Sequence, residues 1–82
     1  MKKRNAVPDE VFLVGSIQKG DVTSIRACLK RFGRNFSVDI REYLETEKYE
    51  GPTRKGVLFS TEEWEAFYSL IQRLDEMVRT KA

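Results

Sequence analysis

Histidine is absent from this 82-residue chain, and cysteine occurs once, as Cys28. Without histidine there is no imidazole general base, no Ser-His nucleophile pair and no His-ligated zinc. A single cysteine can neither close an intrachain disulfide nor build a multi-cysteine metal site, so Cys28 reads as a structural thiol in a reducing, intracellular setting. No apolar run approaches the ~20 residues that a membrane span needs, and the opening MKKRNAVPDE lacks the hydrophobic stretch of a signal peptide behind it. The expectation is a protein that is not an enzyme, needs no cofactor or metal, and works inside the cell away from membranes.

What remains is a chain with 40% hydrophobic and 34% charged residues, enough for one core under a heavily solvated surface. A chain this short buries only about 60% of its unfolded surface, so a partner subunit would help it. The net charge of +2 conceals an uneven spread. Residues 1–35 carry +5, residues 36–59 carry −1, and residues 60–82 carry −2. Positive charge is thus concentrated at the front.

Residues 1–10, with Lys2, Lys3, Arg4 and Pro8, read as a flexible basic arm, and residues 11–82 as the domain. Val11 to Gln18 is rich in β-branched and apolar residues and stops at the turn signal Lys19-Gly20-Asp21, so it reads as a strand. Thr23 to Phe32 alternates: Ile25, Ala27 and Leu29 fall on one side, with Arg26, Cys28, Lys30 and Phe32 on the other. Gly33-Arg34-Asn35 reads as a hairpin turn. Phe36 to Leu44 alternates again, placing Phe36, Val38 and Ile40 opposite Ser37, Asp39, Arg41 and Tyr43. Glu45 to Thr53 reads as a polar connection. Arg54 and Lys55 then lead through Gly56 into a short fourth strand, Val57 to Phe59.

Ser60-Thr61-Glu62-Glu63 is a capping box that predicts a helix from Thr61 to about Thr80. Trp64, Phe67, Ile71, Leu74 and Val78 recur at spacings of three and four and form one apolar stripe, widened by Tyr68, Leu70 and Met77. Such a stripe exceeds what a small sheet needs for cover. Part of it is expected to meet a second copy.

Asp39-Ile40-Arg41-Glu42-Tyr43, then Pro52-Thr53-Arg54-Lys55-Gly56, then a capped helix bearing Trp64, resemble in order and spacing the transcriptional positive cofactor four (coactivator p15) family. The resemblance runs from about Phe12 to Arg79. It implies an α+β fold in which a curved four-stranded antiparallel sheet is followed by one long C-terminal helix, dimerised through the helices. It also implies single-stranded DNA binding with little sequence preference. By resemblance Phe32 is the aromatic at the hairpin, Lys30 and Arg41 are basic residues of the strands, and Arg54 and Lys55 form the basic pair before the last strand. Leu44 stands where the family usually has a stacking Trp, so that platform is either lost or moved to Tyr49. The hairpin keeps Arg34 as its one cation.

The expected nucleic-acid contacts are therefore Arg26, Lys30, Phe32, Arg34, Arg41, Tyr43, Tyr49, Arg54 and Lys55: cations on the sugar-phosphate chain, rings on splayed bases. Trp64, Phe67, Ile71, Leu74 and Val78 are the expected dimer interface. The functional expectation is a homodimer that holds melted or looped DNA in transcription, replication or recombination, with contacts to that machinery, and a viral or prokaryotic origin fits the short arm. The alternative is a protein-interaction module using the helix and the acidic Glu45, Glu47 and Glu50. A nuclease reading of Asp39 and Glu42 fails because residues three apart on a strand face opposite ways. A P-loop reading of Gly51 to Gly56 fails because a strand, not a helix, follows it.

Overall fold

Among the described residues four strands precede one helix: β1 (Glu10–Gln18), β2 (Thr23–Phe32), β3 (Asn35–Glu45), β4 (Glu50–Ser60) and α1 (Thr61–Lys81). The computed structural model describes residues 7–82, and the Lys2-Lys3-Arg4 cluster of the expected arm lies outside them. The strands form one open, curved antiparallel sheet in the order β1-β2-β3-β4. Among the described residues no helix is long and apolar enough to cross a membrane.

The β2–β3 hairpin closes on the pair Phe32 and Asn35, with Gly33 at φ 65° as the first turn residue. Glycine takes that conformation without a Cβ penalty, and it suits a turn whose twist matches the flanking strands. Asp9 pins the turn from outside. Its carboxylate accepts from the Gly33 N–H at 2.6 Å, and its own N–H donates to the Arg31 carbonyl at 2.7 Å.

The fourth strand is far longer than the expected Val57 to Phe59. It pairs with β3 from Glu50 onward, interrupted by a bulge in which Thr53, Arg54 and Lys55 stand against the single residue Glu42. The Thr53 hydroxyl bridges that gap, donating to the Glu42 carbonyl at 2.9 Å and accepting from the Lys55 N–H at 3.1 Å. The bulge lets a Gly-Pro-Thr stretch that reads as a loop rejoin the ladder.

Register assigns every side chain to a face, because directly opposite residues point the same way. One face carries Ile25, Ala27, Leu29, Val38, Ile40, Val57 and Phe59, and α1 packs there. Phe59 stacks on Phe67 with centroids 4.5 Å apart, Trp64 lies 5.9 Å from Phe67, and Trp64 closes an apolar cavity over Ala27, Leu29, Val38 and Ile40. The capping box forms as expected: the Ser60 hydroxyl accepts from the Glu63 N–H, and the Glu63 carboxylate accepts from the Ser60 N–H.

The helix stripe is used only in part. Trp64, Phe67 and Ile71 are half-buried against the sheet, whereas Leu70, Leu74, Met77 and Val78 are exposed, Leu74 by 59%. On the same side of the sheet Val14, in a bulge of β1, is 76% exposed. The stripe therefore changes character halfway along.

Candidate nucleic-acid interface

The other face of the sheet carries no helix. Its rows run across the strands: Ser16, Arg26, Arg41 and Gly56 in one, Leu13, Cys28, Asp39 and Leu58 in the next, and Gln18, Ser24, Tyr43 and Pro52 on the far side. Alternation in β2 and β3 puts the expected cations and ring here together. Among the described residues, the three buried ones, Ser24, Cys28 and Asp39, all belong to this open face.

Asp39, 4% exposed, organises the centre. One carboxylate oxygen accepts from Lys30 Nζ at 2.6 Å and the other from Arg41 Nε at 3.1 Å, while Arg41 Nη1 also donates to the Thr53 carbonyl at 3.0 Å. A buried carboxylate is tolerable because it is paired and hydrogen-bonded. In return it fixes where both cations sit, leaving the trio with a net charge of one positive unit. Leu13 and Leu58, both exposed, flank this row as apolar banks.

Arg26 stands directly opposite Arg41, an unfavourable placement for like charges. The two side chains part. Arg41 turns to Asp39 and Thr53, whereas Arg26 lies over the Tyr43 ring, its Cζ 4.2 Å from the centroid, with Nη2 3.6 Å from Glu45 Oε1. Directly opposite Tyr43 the Ser24 hydroxyl is enclosed without a hydrogen-bond partner.

The remaining expected contacts lie around this centre. Phe32 ends β2 on the open face, half-buried, and Arg34 is exposed at the hairpin tip. Arg54 is exposed in the β4 bulge. Lys55 points elsewhere: it approaches Glu42 at 4.0 Å, and Glu42 pairs with Ile25 on the helix-bearing side. Lys19 reaches the same carboxylate at 2.9 Å, and chiefly through that hydrogen bond, aided by the charges of Lys19 and Lys55, it holds Glu42 below the usual carboxylate range against a smaller desolvation effect. Tyr49 is half-exposed in the β3–β4 turn, where its hydroxyl donates to the Pro52 carbonyl. Leu44 falls by register on the helix side, away from Tyr43.

Sequence reasoning did not single out Leu13, Leu58, Ser24 or the pairing role of Asp39. Leu58 was accessible in principle, since it alternates with Val57 and Phe59. Leu13 required knowledge of the β1 bulge, and the Asp39 pairing required the register of β2 on β3.

The family model for Transcriptional Coactivator p15 (PC4) matches residues 22–70, more than half of the chain. The chain belongs to that family. The PC4 match takes in β2, β3, β4 and the first half of α1 through Leu70, and so the whole Arg26, Lys30, Asp39, Arg41 and Tyr43 cluster. It places this PC4-family chain among transcriptional coactivators. No curated protein and no solved structure matches the chain.

Proposed function

We propose that the chain binds single-stranded DNA with little sequence preference through the open face of its sheet. It does so as a homodimer joined through the exposed half of α1 and the uncovered apolar side of the sheet. The observation that carries this reading is the gathering of Arg26, Lys30 and Arg41 with Tyr43 and Phe32 on one uncovered face of a PC4-family sheet. Residues 11–82 constitute the binding domain, preceded by the basic arm.

Lys30, Arg34, Arg41 and Arg54 follow the sugar-phosphate chain, while Phe32 and the half-exposed Tyr49 stack on bases. Such stacks contribute ~1–3 kcal/mol per base and accept any base, because every base has a π face. Duplex DNA offers no splayed bases, so the preferred form is melted or looped DNA. The cellular use is as a transcription cofactor, or as an accessory holding opened DNA in replication or recombination. No step requires covalent chemistry.

The test is fluorescence anisotropy with single-stranded and duplex oligonucleotides of about 20 nucleotides, long enough for one or more ~4–16-nucleotide sites. Wild type should prefer the single strand. Phe32→Ala/Arg41→Ala should weaken that binding by roughly 30-fold or more, from one lost stack and one lost charged contact. With four phosphate contacts per subunit, log K should fall against log salt with a slope near −3 (about −0.7 per contact). Equal affinity for duplex, or binding indifferent to both substitutions, would overturn the reading and turn attention to the acidic β3–β4 turn as a protein contact.

A further inference from the structure

The expected role of Arg26 is that of a cation following phosphates, and its surroundings argue for a different one. A guanidinium receives phosphate along its edge, through in-plane N–H groups, and receives a flat ring against its face. The Arg26 edge is turned toward Glu45 Oε1 at 3.6 Å, an anion that repels incoming phosphate. Its Cζ lies over the Tyr43 ring, 4.2 Å from the centroid. Ser24, directly opposite Tyr43, is 4% exposed, and its hydroxyl is enclosed without a partner. The Arg26 side chain is nonetheless 29% exposed.

We infer that the Arg26–Tyr43 layer is a nucleobase-docking subsite, in which an unstacked base lies on the outer face of the Arg26 guanidinium. The inference rests on the single-stranded DNA reading above and assigns one of its contacts. Guanidinium planes are recognised platforms for unstacked bases, and a cation backed by an aromatic ring is already desolvated on one side and held flat. Repulsion from Arg41, directly opposite, and attraction to Glu45 keep Arg26 in that pose before any ligand arrives. The subsite also supplies stacking area in a chain that has Leu44, on the other face of the sheet, at the position its family resemblance marks for a Trp. Phosphates are left to Lys30 and Arg41, whose nitrogens Asp39 orients.

A platform and a phosphate contact respond differently to lysine, which keeps the charge and loses the plane. The experiment measures affinity of wild type, Arg26→Lys and Arg26→Gln for a thymidine oligonucleotide of about 20 residues and for an abasic oligonucleotide of the same length, each at several salt concentrations. For a platform, Arg26→Lys lowers thymidine-strand affinity by about 5-fold or more, equivalent to a stack of roughly 1 kcal/mol, with an unchanged salt slope. Arg26→Gln, still planar, loses less than Arg26→Lys. On the abasic strand wild type and Arg26→Lys bind alike.

If Arg26→Lys matches wild type on both strands, or if Arg26→Gln flattens the salt slope by about 0.7 while Arg26→Lys restores it, Arg26 is a phosphate contact and the subsite is refuted. Either result leaves the single-stranded DNA reading intact. Failure of wild type to bind the thymidine strand at all refutes both.

Discussion

The two faces of the sheet solve opposite problems. The open face is polar, yet it holds the three buried residues found among those described, Ser24, Cys28 and Asp39, because paired charges and a cation–ring layer close over them. The helix-bearing face is apolar, yet it leaves Val14, Ile17 and Val57 exposed alongside Leu74, Met77 and Val78 of the helix. A face meant for a ligand can be finished within one protomer by long charged side chains. An apolar face larger than its own helix cannot be, and it exposes surface that a second copy would remove from water at about 25 cal/mol per Å².

The contrast can be broken first on the apolar side. In Leu74→Asp/Val78→Asp, two carboxylates enter the proposed dimer contact, and an unpaired buried charge costs several kcal/mol. Light scattering at micromolar concentration should show wild type at dimer mass and the variant at monomer mass, with a lower melting temperature. A wild type of monomer mass would remove the dimer and leave the exposed stripe unexplained.

Gly56 stands opposite Arg41 and leaves no space for a side chain. A Cβ at this position would lie 2.7 Å from the Ile40 carbonyl and 2.9 Å from Arg41 Cα, both backbone atoms with little room to yield. Gly56→Ala should therefore destabilise the protein by about 1–3 kcal/mol in urea unfolding, typical of overpacking. It should also weaken DNA binding by displacing Arg41, whereas an unchanged midpoint would mean that β4 shifts freely.

The smallest effect concerns Glu42, the acid on the apolar side that Lys19 and Lys55 approach. Its carboxyl is held below the usual range, mainly by the Lys19 hydrogen bond, so the stabilisation is present above its unfolded pKa and lost as pH falls through the lower folded value. Glu42→Gln, which mimics the protonated acid, should therefore lower stability slightly at neutral pH and leave it nearly unchanged in acid, so that the acid-side loss is smaller than in wild type. A loss as large in acid as at neutral pH would show that the fit of the side chain, not its charge, is what matters.

Much of this contrast was legible in the residues. Strict alternation in Thr23 to Phe32 and in Phe36 to Leu44 assigned both faces of the central strands correctly, and Ser60 with Glu63 located the helix start within one residue. Alternation is a local signal, and it fails where pairing is irregular. Gly51, Pro52, Thr53 and Gly56 carry turn chemistry, so the first part of β4 read as a loop, while the Thr53 hydroxyl and the three-against-one bulge make it a strand. The same bulge turns Lys55 toward Glu42, which no spacing could reveal. Which cations are held by which acids depends on register between strands, and so the grip of Asp39 on Lys30 and Arg41 became visible only in three dimensions.

Ser60 is both the last residue of β4 and the N-cap of α1, so no residue separates strand from helix. A join without slack makes the two elements a single lever. With 21 residues rising ~1.5 Å each, a tilt of β4 by about 5° sweeps the far end of α1 through roughly 3 Å, more than half a helical turn. A ligand that tilted β4 by that much would displace Leu74 and Val78 equally, and two protomers joined there would each sense the other's occupancy.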